Sequence, residues 1–82
     1  MVRVLARELG SRAITVNSVL PGPTRTDGFT RQAGNSVEEL IAPTPLGRIG
    51  EPADIADTVA FLTSESGRWI TGQAIHAGGG LF

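Results

Sequence analysis

The chain has 82 residues, seven basic and eight acidic side chains, one histidine and no cysteine. A net charge of −1, with both signs scattered along the chain, provides no basic face for nucleic acid. All seven basic residues are arginine and tyrosine is absent, so these residues contain no lysine or tyrosine to act as general base, Schiff-base amine or phosphate-loop cation.

Without cysteine there is no disulfide, and one imidazole without thiolates leaves structural zinc short of ligands. A composition 40% hydrophobic and 18% charged suits a soluble globular chain. A chain this short buries roughly 60% of the surface it exposes when unfolded, enough for one small core. No apolar run approaches the ~20 residues that span a bilayer, and the N-terminus lacks a signal-peptide layout. The cytoplasm is therefore the expected location, with no membrane and no nucleic acid among the partners.

In chain order, Val2, Leu5, Ala6 and Leu9 fall at i, i+3, i+4 and i+7, which predicts a helix over 2–9 with Gly10 as its C-terminal cap. No Ser, Thr, Asp or Asn precedes it, so it reads as the second half of a longer helix. The β-branched run Ala13-Ile14-Thr15-Val16-Asn17-Ser18-Val19 predicts a strand over 13–19, stopped by Pro21-Gly22-Pro23. Residues 24–44 are polar and loop-like. Within them Ser36 and Glu39 form a capping-box pattern for a short helix over 37–41, ending before Pro43.

Glu51-Pro52-Ala53-Asp54 opens the strongest helix, with Ile55, Val59 and Leu62 as its stripe and Asp54 and Asp57 near its positive end. Phe61 falls off that stripe, on the face shared with Asp54, Asp57 and Thr58. Gly67 lies just past the helix end. Residues 71–77 read as a second, weaker strand ended by Gly78-Gly79-Gly80. Two strands joined by helices are most simply parallel in one sheet. Such a sheet wants cover on both faces and both edges, so residues 1–82 read as one segment of a larger α/β domain.

Ligands in open α/β sheets bind beyond the carboxyl ends of the strands, where Pro21-Gly22-Pro23-Thr24-Arg25-Thr26 lies. Proline fixes the backbone there, glycine permits close approach, and the peptide groups at Thr24 are available for an amide or a phosphate. An ordinary proline-punctuated turn has the same spacing.

Three motifs in order make the resemblance specific. Thr15-Val16-Asn17-Ser18-Val19-Leu20-Pro21-Gly22-Pro23-Thr24-Arg25-Thr26 resembles the sixth strand and cofactor loop of the short-chain dehydrogenase/reductase family. Pro45-Leu46-Gly47-Arg48-Ile49-Gly50-Glu51-Pro52-Ala53-Asp54-Ile55-Ala56 resembles a second stretch of that family. Ile70-Thr71-Gly72-Gln73-Ala74-Ile75-His76-Ala77-Gly78-Gly79-Gly80 resembles its terminal strand, with Gly78 where Asp or Asn is commoner.

The resemblance implies the C-terminal third of an NAD(P)-dependent oxidoreductase: a partial Rossmann-type, doubly wound α/β sheet. It implies that Pro21, Gly22 and Pro23 lie against the nicotinamide of NAD or NADP, that the Thr24 backbone holds the carboxamide, and that the Thr26 hydroxyl reaches the carboxamide or pyrophosphate. Phe29, Leu40 and Ile41 would belong to the loop over a small carbonyl or alcohol substrate. Phe61, Trp69 and Ile75 would form part of a homo-oligomer interface. The family's catalytic serine and tyrosine-x-x-x-lysine pair would lie before Met1. Met1 would then be an interior methionine of a longer frame, and this chain alone would carry no catalytic residue and be inactive.

The remaining candidates carry less. His76 has no nucleophile or second ligand near it in sequence, Gly78-Gly79-Gly80 does not precede a helix as a dinucleotide loop does, and no metal ligand set is expected. Asp54 and Asp57 suit the start of a helix, and Arg48 a structural cation. The alternative reading is a non-catalytic family member that serves as an interaction or assembly module.

Overall fold

A computed structural model of the chain describes residues 1–26 and 37–82. Helix α1 (Val2–Leu9) runs into a 3₁₀ turn at Gly10–Arg12, and strand β1 covers Ser18–Pro21. Helix α2 (Val37–Ile41) and helix α3 (Pro52–Thr63) follow, then a 3₁₀ turn at Glu65–Gly67 and strand β2 (Ala74–Ala77). The strands are parallel and adjacent, in the register Ser18–Ala74, Val19–Ile75, Leu20–His76 and Pro21–Ala77. Helix α3 packs on both strands. The architecture is α/β, as the order of helices and strands implied. No described helix is long and apolar enough to cross a membrane.

Helix α1 has the expected bounds but a different ending. Gly10 is right-handed (φ −60°) and continues into the 3₁₀ turn. The left-handed residue that stops the chain is Ala13, at φ 58°. The cap assigned to Gly10 is therefore corrected to Ala13, whose N–H donates to the Gly10 carbonyl at 2.9 Å.

The same left-handed residue explains why β1 starts at Ser18 and not at 13. Residues 14–17 make one backbone bond to the facing segment, from the Gly72 N–H to the Val16 carbonyl at 2.7 Å, and are otherwise tied to it by side chains. Asn17 Nδ2 donates to the Ile70 carbonyl at 3.0 Å, the Gln73 N–H donates to Asn17 Oδ1 at 3.1 Å, and the Val16 N–H donates to the Thr71 hydroxyl at 3.0 Å. Opposite them Gly72 is left-handed (φ 73°), which keeps β2 from starting at 71. Strand β1 extends past its expected end, through Pro21. The ladder there uses the Gly22 N–H, on the Ala77 carbonyl at 3.1 Å, so the missing N–H of Pro21 falls on the open edge.

Among the described residues the buried apolar side chains are Ala6, Ile49 and Leu62. Leu62 and Gly67 mark where the 3₁₀ turn folds back on α3: a β-carbon on Gly67 would lie 2.6 Å from the Phe61 carbonyl oxygen. Val19 and Ile75, paired in register, are half-buried, whereas the paired Leu20 and His76 are exposed. Alternation along a strand places these pairs on opposite faces. The Phe82 ring lies 5.8 Å from that of His76.

Candidate functional site

The loop at the carboxyl end of β1 is built against two neighbouring segments. A β-carbon on Gly22 would sit 2.8 Å from Gly78 Cα, so glycine is required where the two backbones leave the sheet side by side. The Thr24 hydroxyl turns back to donate to the Gly22 carbonyl at 2.9 Å. Thr24 then makes an isolated parallel bridge with Gly50. The Gly50 N–H donates to the Pro23 carbonyl at 2.8 Å, and the Arg25 N–H donates to the Gly50 carbonyl at 2.7 Å. In a parallel pairing the intervening residue points its peptide groups the other way, so the N–H and C=O of Thr24 face away from Gly50.

Residues 48–54 brace this loop from behind. Arg48 clamps Asp54 with both terminal nitrogens, Nη1 to Oδ2 at 2.8 Å and Nη2 to Oδ1 at 3.2 Å. Arg48 Nη1 also donates to the Ile49 carbonyl at 3.1 Å. The Glu51 N–H donates to Asp54 Oδ2 at 2.7 Å, an acid on the first turn of α3 satisfying the group just before it. Arg25 Nε meets Glu51 Oε1 at 2.9 Å. The hydrogen bond from Arg48, then that from the Glu51 N–H, hold the Asp54 carboxyl down at about 2, and the same bond raises the Arg48 guanidinium.

Between loop and brace lies a cavity of about 200 Å³, lined by Pro23, Thr44, Arg48, Gly50, Asp54 and Gly78 among others. Thr44 is buried; its hydroxyl donates to the Leu40 carbonyl at 2.6 Å and its N–H to the Ile41 carbonyl at 3.0 Å. Leu40 and Ile41, both half-buried, are thereby tied to the cavity wall through Thr44. Thr26 is exposed, and Phe29 lies outside the described residues, as does Ser36.

The structure brings Pro23, Thr24 and Arg25 together with the 48–54 segment and sets Pro21 and Gly22 against Ala77 and Gly78. It does not bring Phe61 or Trp69 to that loop by any described contact; they are 49% and 94% exposed, while Ile75 is half-buried. Sequence reasoning treated Arg48 as a structural cation and Asp54 as a helix-start charge, and missed that they bind each other and that Gly50 pairs with Thr24. The signal was present in part: an acid two residues after a proline that opens a helix is placed to reach back to the N-cap.

The family model described as enoyl-(acyl carrier protein) reductase matches residues 1–82. An oxidoreductase of Methylorubrum extorquens is 52% identical over 82 residues, covering 95% of this chain and 33% of its own length. The 3-oxoacyl-[acyl-carrier-protein] reductase of Staphylococcus epidermidis is 44% identical over 82 residues, covering 100% of this chain and 34% of its own. Among solved structures, the angucycline C-6 ketoreductase LanV with bound NADP is 49% identical at a TM-score of 0.87, over 98% of this chain and 31% of that one. A short-chain dehydrogenase/reductase of Brucella melitensis is 36% identical at a TM-score of 0.92, over 100% of this chain and 33% of that one. The chain thus spans about a third of the length of the curated relatives it matches.

Proposed function

The chain belongs to the short-chain dehydrogenase/reductase family, in the group described as enoyl-(acyl carrier protein) reductase, and from that premise we propose that it is the C-terminal part of an NAD(P)-dependent cytoplasmic oxidoreductase. In this reading residues 21–26 form the nicotinamide side of the cofactor site. The observation that carries it is the Thr24 peptide, turned away from Gly50 at the carboxyl end of a parallel strand. A nicotinamide carboxamide offers one donor and one acceptor, and a peptide N–H and C=O presented together complement both. The residues present therefore fit that end of a dinucleotide.

When bound, the dinucleotide supplies or accepts the hydride exchanged with a carbonyl or alcohol carbon. This chain's part is to bind and orient. Pro21, Gly22 and Pro23 form a stiff floor, Thr24 fixes the carboxamide, and the Thr26 hydroxyl reaches the carboxamide or pyrophosphate. Leu40 and Ile41, with Phe29, belong to the segment over the substrate. The proton donor and acceptor come from the family's tyrosine-x-x-x-lysine pair, and these 82 residues hold no tyrosine or lysine, so the chain alone is inactive. Phe61, Trp69 and Ile75 contribute to contacts between copies.

The test is a graft of residues 1–82 in place of the matching third of the Staphylococcus epidermidis reductase. The graft is expected to oxidise NADPH with a 3-oxoacyl substrate. Thr24→Pro, which removes the N–H, is expected to raise KM for NADPH at least about tenfold, the loss of roughly one well-made hydrogen bond. An inactive graft, or a Thr24→Pro graft with unchanged KM, overturns the reading. NADPH oxidation by the purified 82-residue chain overturns the inactivity.

A further inference from the structure

We propose that Asp54 is a positioning residue for the loop 21–26, fixing the Thr24 peptide through Gly50. The proposal rests on the reading of that loop as a cofactor site and adds what sets its geometry. Asp54 stands on the first turn of α3, the helix packed on both strands, so its carboxylate is referenced to the sheet. That carboxylate makes two separate attachments to the preceding segment: the two-point clamp on Arg48 and the bond from the Glu51 N–H. Gly50 lies between these attachment points. Both of its peptide groups are spent on the loop, the N–H on Pro23 and the C=O on Arg25.

The contact is close on both sides. A β-carbon on Gly50 would touch Thr24 Oγ1 at 3.5 Å, the Pro23 carbonyl oxygen at 3.6 Å and Asp54 Oδ2 at 3.7 Å. A second tie, Arg25 to Glu51, joins the same two segments. Displacing residues 48–51 therefore displaces the bridge, and with it the direction of the Thr24 N–H and C=O. The ion pairs are largely exposed and contribute little to global stability. Their effect is local, and that separates positioning from a merely structural role.

The experiment is amide hydrogen exchange on the ¹⁵N-labelled 82-residue chain. Gly50 and Arg25 report the bridge; Ser18 and Gly22, whose N–H groups donate to Gln73 and Ala77, report the sheet. Asp54→Ala is expected to lower protection at Gly50 and Arg25 at least about tenfold, to shift the Thr24 amide resonance, and to leave Ser18 and Gly22 within about twofold. Arg48→Gln is expected to lower the bridge protection about threefold, and Arg48→Lys to recover most of it.

Equal loss at all four amides, no loss at any, or no protection of Gly50 and Arg25 in the parent chain overturns the proposal. If Asp54→Ala does not fold, Arg48→Gln decides by the same criteria. The cofactor reading fails separately: an unchanged KM in the Thr24→Pro graft leaves the amide result standing, as a braced loop with no cofactor on it.

Discussion

Helices α1 and α3 both carry an apolar stripe, yet only α3 is fastened at its start, and it packs on both strands. Helix α3 opens on Pro52, takes Asp54 as its reach-back acid and lies across both strands. Helix α1 has no side-chain cap and no acid in its first turn, and each helix buries one side chain, Ala6 in α1 and Leu62 in α3. The difference teaches that periodicity announces a buried face without saying what buries it. For α3 the described residues cover Leu62 and leave Val59 44% exposed. For α1 the described residues cover Ala6, beside Gly72, and leave Leu5 36% exposed.

The largest expected effect breaks this comparison if it fails. Leu62→Ala empties a buried site of α3 and should cost about 3 kcal/mol. Leu5→Ala, at a position 36% exposed on α1, should cost less, about 1 kcal/mol. Urea titrations followed by circular dichroism read both, and equal shifts would mean that α1 is covered in solution, for example by a second copy.

Two glycines sharpen the contrast in backbone terms. Gly22→Ala drives a β-carbon to 2.8 Å from Gly78 Cα, backbone against backbone, and should destabilise the chain by about 2 kcal/mol. Gly10→Ala meets nothing within 4 Å at a right-handed φ and should stabilise by about 0.5–1 kcal/mol. The opposite signs are the check. A left-handed cap at Gly10, as the sequence implied, would have made that substitution costly as well.

Those two positions show what was legible in the sequence. The bounds of α1 and α2, the first turn of α3 and the parallel pairing of the strands followed from periodicity, proline placement and element order. These are local signals, or topology with few options. The left-handed stop at Ala13 was not legible, because alanine carries no mark of that conformation and glycine three residues earlier does. The strands were displaced for the same reason: β-branched residues 14–16 fit a ladder, but Asn17 and Thr71 satisfy the backbone there with side chains. At the candidate site the loop residues were legible and their brace was not. The bridge from Thr24 to Gly50 joins residues 26 apart, and no local rule couples them.

The brace has its own pH signature. The Asp54 carboxyl lies at about 2, below its ordinary value of 3.8, first because Arg48 donates to it and next because the Glu51 N–H does. A lowered carboxyl favours the folded arrangement when ionised. Its contribution is therefore complete above the ordinary carboxylate range and is lost as pH falls through about 2. The Asp54 side-chain carboxyl ¹³C resonance should change little from pH 7 to 4 and move chiefly toward pH 2. Movement centred near 4 would mean that the clamp does not form in solution.

The smallest effect on the fold belongs to the two bare aromatics. Phe61 and Trp69 are 49% and 94% exposed, so Phe61→Asp and Trp69→Asp should each change stability by less than about 0.5 kcal/mol. An effect that small leaves fold and assembly separable. Phe61 occupies the outer side of α3, whose inner side rests on the sheet, so a charge there leaves the core undisturbed. In the grafted reductase the two substitutions should lower the oligomer mass seen by light scattering while circular dichroism stays unchanged. An unchanged mass would remove Phe61 and Trp69 from the interface and leave them as solvent-facing residues on the well-fastened half of the chain.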